Sequence, residues 1–153
     1  MPFTKDELRK IYDRSSGMCH ICGKNVAFTN YADATPDARG AWEVEHSNPK
    51  AKGGTDRLNN LYPACIACNR SKGTQSTRTV RARNGKTRAP LSREKREIAK
   101  RKNAIIYGLG AGCIAYILCP PAALLAGLVA MCIGYKKNPD RDFDREPLDP
   151  DLD

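Results

Sequence analysis

Two cysteine pairs, Cys19-x-x-Cys22 and Cys65-x-x-Cys68, bracket a stretch that holds Glu45, His46 and Asn60, and Asn69 follows the second pair directly. A C-x-x-C turn directs two sulfurs at one ion, and two such turns close a tetrahedron of thiolates around zinc. A four-sulfur shell leaves no position for water, so this zinc is expected to be structural. It would supply folding free energy on the order of 10 kcal/mol. The competing reading is a redox pair or unconnected thiols. His46 is the strong general-base candidate, because a neutral imidazole near pH 7 can take a proton from water. The other histidine, His20, stands inside the first pair and reads as an exposed residue of that turn. Glu45 and Asn69 are hard oxygen donors of the kind that suit Mg²⁺ or Mn²⁺. An activated water, a cation and stabilisation of a leaving oxygen are what phosphodiester hydrolysis requires.

The order of the motifs is more specific than any one of them. C-x-x-C-G at 19–23, Glu45-His46, Pro49, Gly53-Gly54, Asp56, Asn60-Leu61 and C-x-x-C-N-x-x-K-G at 65–73 follow one another. Across residues 8–74, approximately, the chain resembles the HNH endonuclease family. That resemblance implies an α+β fold: a small ββα-metal domain, a β-hairpin followed by a helix around the catalytic ion, with the four-cysteine zinc site at its base. It also implies His46 as the base, Glu45 and Asn69 as the ligands of a divalent ion, and Asn60 as the support of the His46 loop. Asn59 is the alternative for that last role. Many members carry Asp where this chain has Glu45, and Asn69 makes an H-N-N form, a common variant. The choice between Mg²⁺ and Mn²⁺ stays open.

The elements that must position these residues are short. Thr4 and Glu7 form a capping box, Phe3 and Leu8 a hydrophobic staple, and Leu8, Ile11 and Tyr12 an apolar helical face, so a helix is expected over residues 1–14. Residues 25–40 read as loop, with Thr35-Pro36-Asp37 and Arg39-Gly40 as turns. Residues 41–46 alternate like a strand, residues 58–62 could begin a short helix or turn, and the second cysteine pair opens a helix. Trp42 and Tyr62 read as core residues, with base stacking as the competing role.

The net charge is +9, unevenly placed. Residues 70–102 carry thirteen Lys or Arg against two Glu, which points to a polyanion or to a solvated linker. Arg57, Arg70, Lys72, Arg78, Arg81 and Arg83 are candidate DNA contacts, with ordinary surface charge as the alternative for each. Such cations bind duplex DNA through counterion release and without reading sequence. The opening residues, MPFTKDELRK, are polar and charged, unlike a secretory leader, so a reducing compartment is expected.

Residues 104–135 contain no charged residue. As one helix they would measure about 48 Å, against a hydrocarbon core of roughly 30 Å, and Pro120-Pro121 interrupts them. Two shorter arms suggest a helical hairpin, re-entrant or crossing a locally thinned bilayer as transmembrane helices. Ala104, Gly108 and Gly112, and Ala122, Ala126 and Ala130, recur every four positions, as close packing between arms or in an oligomer requires. Basic residues flank both ends, which keeps them on the cytoplasmic side. A hairpin buried in a soluble domain or oligomer is the alternative. The organisation expected is thus an HNH domain at 1–75, a basic, partly helical connector at 76–103, a membrane-associated hairpin at 104–135 and an acidic disordered tail at 136–153. The activity expected is metal-dependent DNA cleavage at the cytoplasmic face of a membrane, in a bacterial or phage-infected cell, as in exclusion of phage DNA. A catalytically silent zinc DNA-binding module and a membrane-acting hairpin protein are the other classes.

Overall fold

Thr4 starts helix α1 (Lys5–Asp13) as its side chain predicts: its Oγ1 accepts from Glu7 N at 3.3 Å and its own N donates to Glu7 Oε2 at 2.8 Å. Leu8 and Ile11 are buried, and Phe3 packs against the same core. The helix ends at a turn through Gly17, where φ is +71° and a β-carbon would lie 2.4 Å from the Tyr12 hydroxyl. The computed structural model describes residues 3–31, 38–118 and 123–140. The turn at 35–37, Cys119, Pro120-Pro121, Ala122 and the tail beyond Asp140 lie outside the described residues. The chain divides into two compact units, Met1–Arg93 with Asp140–Asp153, and Glu94–Pro139.

In the first unit, β1 (Trp42–His46) pairs antiparallel with β2 (Leu61–Cys65), in the register Trp42↔Cys65, Val44↔Pro63 and His46↔Leu61. Residues 58–60 form the expected turn, but Tyr62 and Pro63 belong to a strand and not to a helix. Proline is tolerated because in a two-stranded sheet both strands are edges. The Pro63 carbonyl faces away from β1 and accepts from His20 N at 2.8 Å, which ties the first cysteine turn to the sheet.

Helix α2 (Ile66–Lys72) follows β2 without a loop, and α3 (Thr77–Arg83) is capped by Ser76, whose Oγ accepts from Thr79 N at 3.3 Å. Trp42 is fully buried at the centre, with Tyr31, Tyr12 and Phe28 rings 4.9, 5.6 and 6.4 Å away. Thr77 and Val80 of α3 are buried too. This changes the reading of residues 76–103 as an exposed connector: one apolar side chain and one threonine dock α3 onto the core.

The second unit is built from α4 (Arg93–Leu118) and α5 (Ala123–Lys136). The expected helix at 92–102 and the first apolar arm are thus one continuous helix. Gly134 lies against the Asn103 carbonyl and Tyr107, and Gly108 against Met131 and Gly127. Ala104, Gly108 and Gly112 therefore face the second arm as expected, while the close contacts opposite come from Gly127 and Gly134. Among the described residues no helix is long and apolar enough to cross a membrane, which corrects the expectation of transmembrane helices in 104–135: each arm is too short or carries too much charge at its base.

Ile11 fills the space between α1 and the sheet with no solvent exposure. Ile11→Ala is expected to lower the stability of the first unit by about 2–5 kcal/mol. Denaturant unfolding followed by the fluorescence of Trp42, the single tryptophan, checks it.

Candidate active site and metal cluster

The four cysteines meet as their spacing predicts. The Sγ atoms of Cys19, Cys22, Cys65 and Cys68 all lie within 4.8 Å of one another, and Cys22 and Cys65 are 3.8 Å apart. Tetrahedral zinc with Zn–S bonds of ~2.3 Å sets its sulfurs ~3.8 Å apart, so the donor set fits the ion in number, softness and spacing. The hydrogen bond from Cys19, the largest cause in each case, holds Cys22 low and brings Cys65 to about 7, while the same mutual contacts push Cys19 and Cys68 up.

His46 ends β1 and faces the 47–60 loop. Its Nε2 lies 2.7 Å from Asp56 Oδ1, and Lys50 Nζ reaches Asp56 Oδ2 at 2.9 Å. The hydrogen bond from His46, then that from Lys50, hold the Asp56 carboxyl below the ordinary carboxylate range, so it is an ionised acceptor. A ring whose Nε2–H points at a carboxylate keeps its Nδ1 lone pair for another proton. Asn60 binds the loop across its waist: its Oδ1 accepts from Asn48 N at 2.7 Å, and its Nδ2 donates to Asn48 O at 3.0 Å and to Thr55 O at 2.9 Å. A β-carbon at Gly54 would lie 1.8 Å from the Asn48 carbonyl oxygen, so only glycine closes this loop.

Glu45 lies elsewhere than expected. Its side chain has no solvent exposure; Oε1 meets Lys72 Nζ at 3.1 Å and accepts from Thr77 Oγ1, and Oε2 lies 3.4 Å from His20 Nδ1. Burial pushes this carboxyl up, but the bonds from His20 and Thr77 and the Lys72 charge outweigh it, and it sits below the ordinary range. His20 corrects the expectation of an exposed turn residue. It is buried, stacked 3.7 Å from the Tyr62 ring, and Arg81 donates to its Nε2 at 2.7 Å and to its carbonyl at 3.0 Å. Burial lowers its pKa despite the bond to Glu45, so the ring is neutral with its proton on Nδ1.

The same network grips the backbone at His46 and Ser47. Lys72 Nζ also donates to the His46 carbonyl at 2.7 Å, and Thr77 N donates to the Ser47 carbonyl at 3.2 Å. Lys72 and Arg81 are therefore corrected as DNA contacts: both are occupied inside the domain. Arg57, Arg78 and Arg83 are exposed, and Arg70 is exposed but paired with Glu43 at 3.1 Å. Asn69, expected beside Glu45, instead donates from Nδ2 to Glu43 Oε2 at 3.0 Å. Glu7, Glu43, His46, Asp56 and Asn69 line one cleft of about 550 Å³. Sequence reasoning gave no role to Glu43, Asp56, Thr77 or Arg81 in this arrangement. The E-V-E-H alternation and the acid in the loop were signals for the first two only.

Residues 19–75 match the family model of the HNH endonuclease, so this segment of the chain is an HNH domain, as its motifs implied. No curated protein and no solved structure matches the chain. Thr77 and Arg81, which bond Glu45 and His20, lie just past the matched segment.

The cysteine cluster joins α1's following turn to β2 and α2. Stripping its metal with a strong chelator is expected to unfold the first unit, read as a shift of the Trp42 emission to that of exposed indole, and re-adding Zn²⁺ to restore it. Unchanged emission in a metal-free sample would show that the cluster is dispensable.

Proposed function

We propose that the chain is a metal-dependent DNA endonuclease in which His46 Nδ1 takes the proton from the attacking water. The observation that carries this reading is the His46–Asp56 bond of 2.7 Å at the mouth of a cleft that also holds Asn69 and a carboxylate. Asp56 fixes the imidazole's orientation and stabilises it once protonated. Asn60 keeps the loop, and with it Asp56, in register. The amide oxygen of Asn69 and a cleft carboxylate would hold Mg²⁺ or Mn²⁺, a hard donor set suited to either. When bound, that ion supplies Lewis acidity at the phosphate and the leaving oxygen. The exposed Arg57, Arg78 and Arg83 attract the backbone without sequence preference. The cysteine cluster holds structural zinc.

The second unit serves as a tether. Ile105, Ile106, Leu109, Ile117, Leu124 and Leu125 point outward. The contact of Gly134 with Asn103 puts Lys100, Arg101 and Lys102 at the same end as Lys136 and Lys137. Arms of about 21–22 Å suit re-entry into one leaflet, with the basic end at anionic headgroups. This reading sets the nuclease at the cytoplasmic face of a membrane, where entering foreign DNA is a plausible substrate.

Full-length protein with Mg²⁺ or Mn²⁺ is expected to nick and linearise plasmid. His46→Ala should lower the rate by about 10²–10⁴-fold, and Asp56→Asn by less, both with Trp42 emission and zinc content unchanged. No cleavage by folded wild-type protein would mean a binding module instead. In flotation, the chain should rise with vesicles containing anionic lipid, and Ile117→Asp with Leu124→Asp should stay at the bottom. Wild-type protein that stays at the bottom would remove the tether.

A further inference from the structure

We infer that Glu43, and not Glu45, is the carboxylate that shares the catalytic divalent ion with Asn69. The inference rests on the nuclease reading above and deepens it. Glu43 and Glu45 are two residues apart on one strand, and α2 runs across both: Asn69 meets Glu43, and Lys72, one turn later, meets Glu45. What separates the two is cover. Thr77 of α3 and His20 of the cysteine turn close over Glu45, which has no exposure, whereas among the described residues Glu43 has no such cover and its side chain keeps 26% of its exposure.

For Glu45 to ligate an ion in the cleft it must leave Lys72, which is only 3% exposed. A buried ammonium without its counter-charge is strongly unfavourable. Thr77 Oγ1 and His20 Nδ1 would lose their acceptor at the same moment. Lys72 also holds the His46 carbonyl, so withdrawal of Glu45 would disturb the base that the ion is meant to serve.

Glu43 carries none of these obligations. Its Oε1 pairs with Arg70, a side chain 62% exposed whose charge water can solvate. Its Oε2 faces the Asn69 amide at 3.0 Å. Turning that amide end for end puts Oδ1 where Nδ2 stands, with almost no change of heavy-atom positions. A carboxylate oxygen and an amide oxygen then face one point in the cleft lined by His46 and Asp56, the hard-oxygen pairing Mg²⁺ and Mn²⁺ prefer.

The test is Mn²⁺ binding, read by the loss of the free-ion EPR signal, on zinc-loaded full-length protein. Thermal unfolding by Trp42 fluorescence runs beside it. Glu43→Gln and Asn69→Ala should each weaken Mn²⁺ at least tenfold at unchanged melting temperature and zinc content. Glu45→Gln should lower the melting temperature and, while folded, bind Mn²⁺ as wild type does. Glu7→Gln, in the same cleft but with its carboxylate bonded to Thr4, removes a nearby charge without removing a ligand and should keep wild-type affinity. Wild-type Mn²⁺ affinity in Glu43→Gln overturns the inference even if Glu45→Gln fails to fold. So does an equal loss in Glu7→Gln, which would mean diffuse charge attraction. Wild-type protein that neither binds Mn²⁺ nor cleaves plasmid overturns the nuclease reading itself; one that does both while Glu43→Gln still binds overturns this inference alone.

Discussion

Glu45 keeps an ionised carboxylate in a place that water does not reach, and three neighbours from three other parts of the chain keep it charged there. The carboxylate comes from β1, Lys72 from α2, Thr77 from α3 and His20 from the first cysteine turn. Desolvation of an unpaired carboxylate would cost several kcal/mol, and removing one partner from a buried pair typically costs about 3–5 kcal/mol. The network is therefore formed whole or not at all. It joins four elements in a unit whose sheet has only two strands.

The consequence for the site follows from what these same groups hold besides Glu45. Lys72 takes the His46 carbonyl and Thr77 takes the Ser47 carbonyl, so the backbone on both sides of the base is fixed from beneath. From above, Asp56 fixes the ring, and Asn60 fixes the loop that carries Asp56. The four cysteine sulfurs gather at one cluster, while Glu43, Asn69, His46 and Asp56 line a separate cleft.

The legible parts of this fold were the local ones. A capping box lies within four residues, a C-x-x-C turn within four, and the order of the HNH motifs within one segment, so the Thr4 cap, the cysteine cluster and the loop bonds of Asn60 were within reach of the sequence. Other features depend on which residue a distant element covers. Lys72 and Arg81 stand in a basic run and look like phosphate contacts, yet Lys72 is buried against Glu45 and Arg81 is bonded to His20. Val80 is a lone apolar residue among arginines, too little periodicity to mark a packed helix. The different surroundings of Glu43 and Glu45 are invisible in the alternation of E-V-E-H, because both share a face and only the distant His20, Lys72 and Thr77 tell them apart. In the second unit, the small-residue spacing was right for one arm, but Gly127 and Gly134 form the contacts of the other.

The domain's two histidines are held in opposite tautomers, His20 as a buried strut and His46 with its Nε2 toward Asp56. The chain has only these two histidines, so ¹⁵N-detected NMR of their imidazoles, on neutral rings, addresses the claim without interference. The account predicts His20 with its proton on Nδ1, toward Glu45, and His46 with its proton on Nε2, toward Asp56. His46 found with its proton on Nδ1 would leave no lone pair to accept a proton from water on that side of the ring, and would contradict the account.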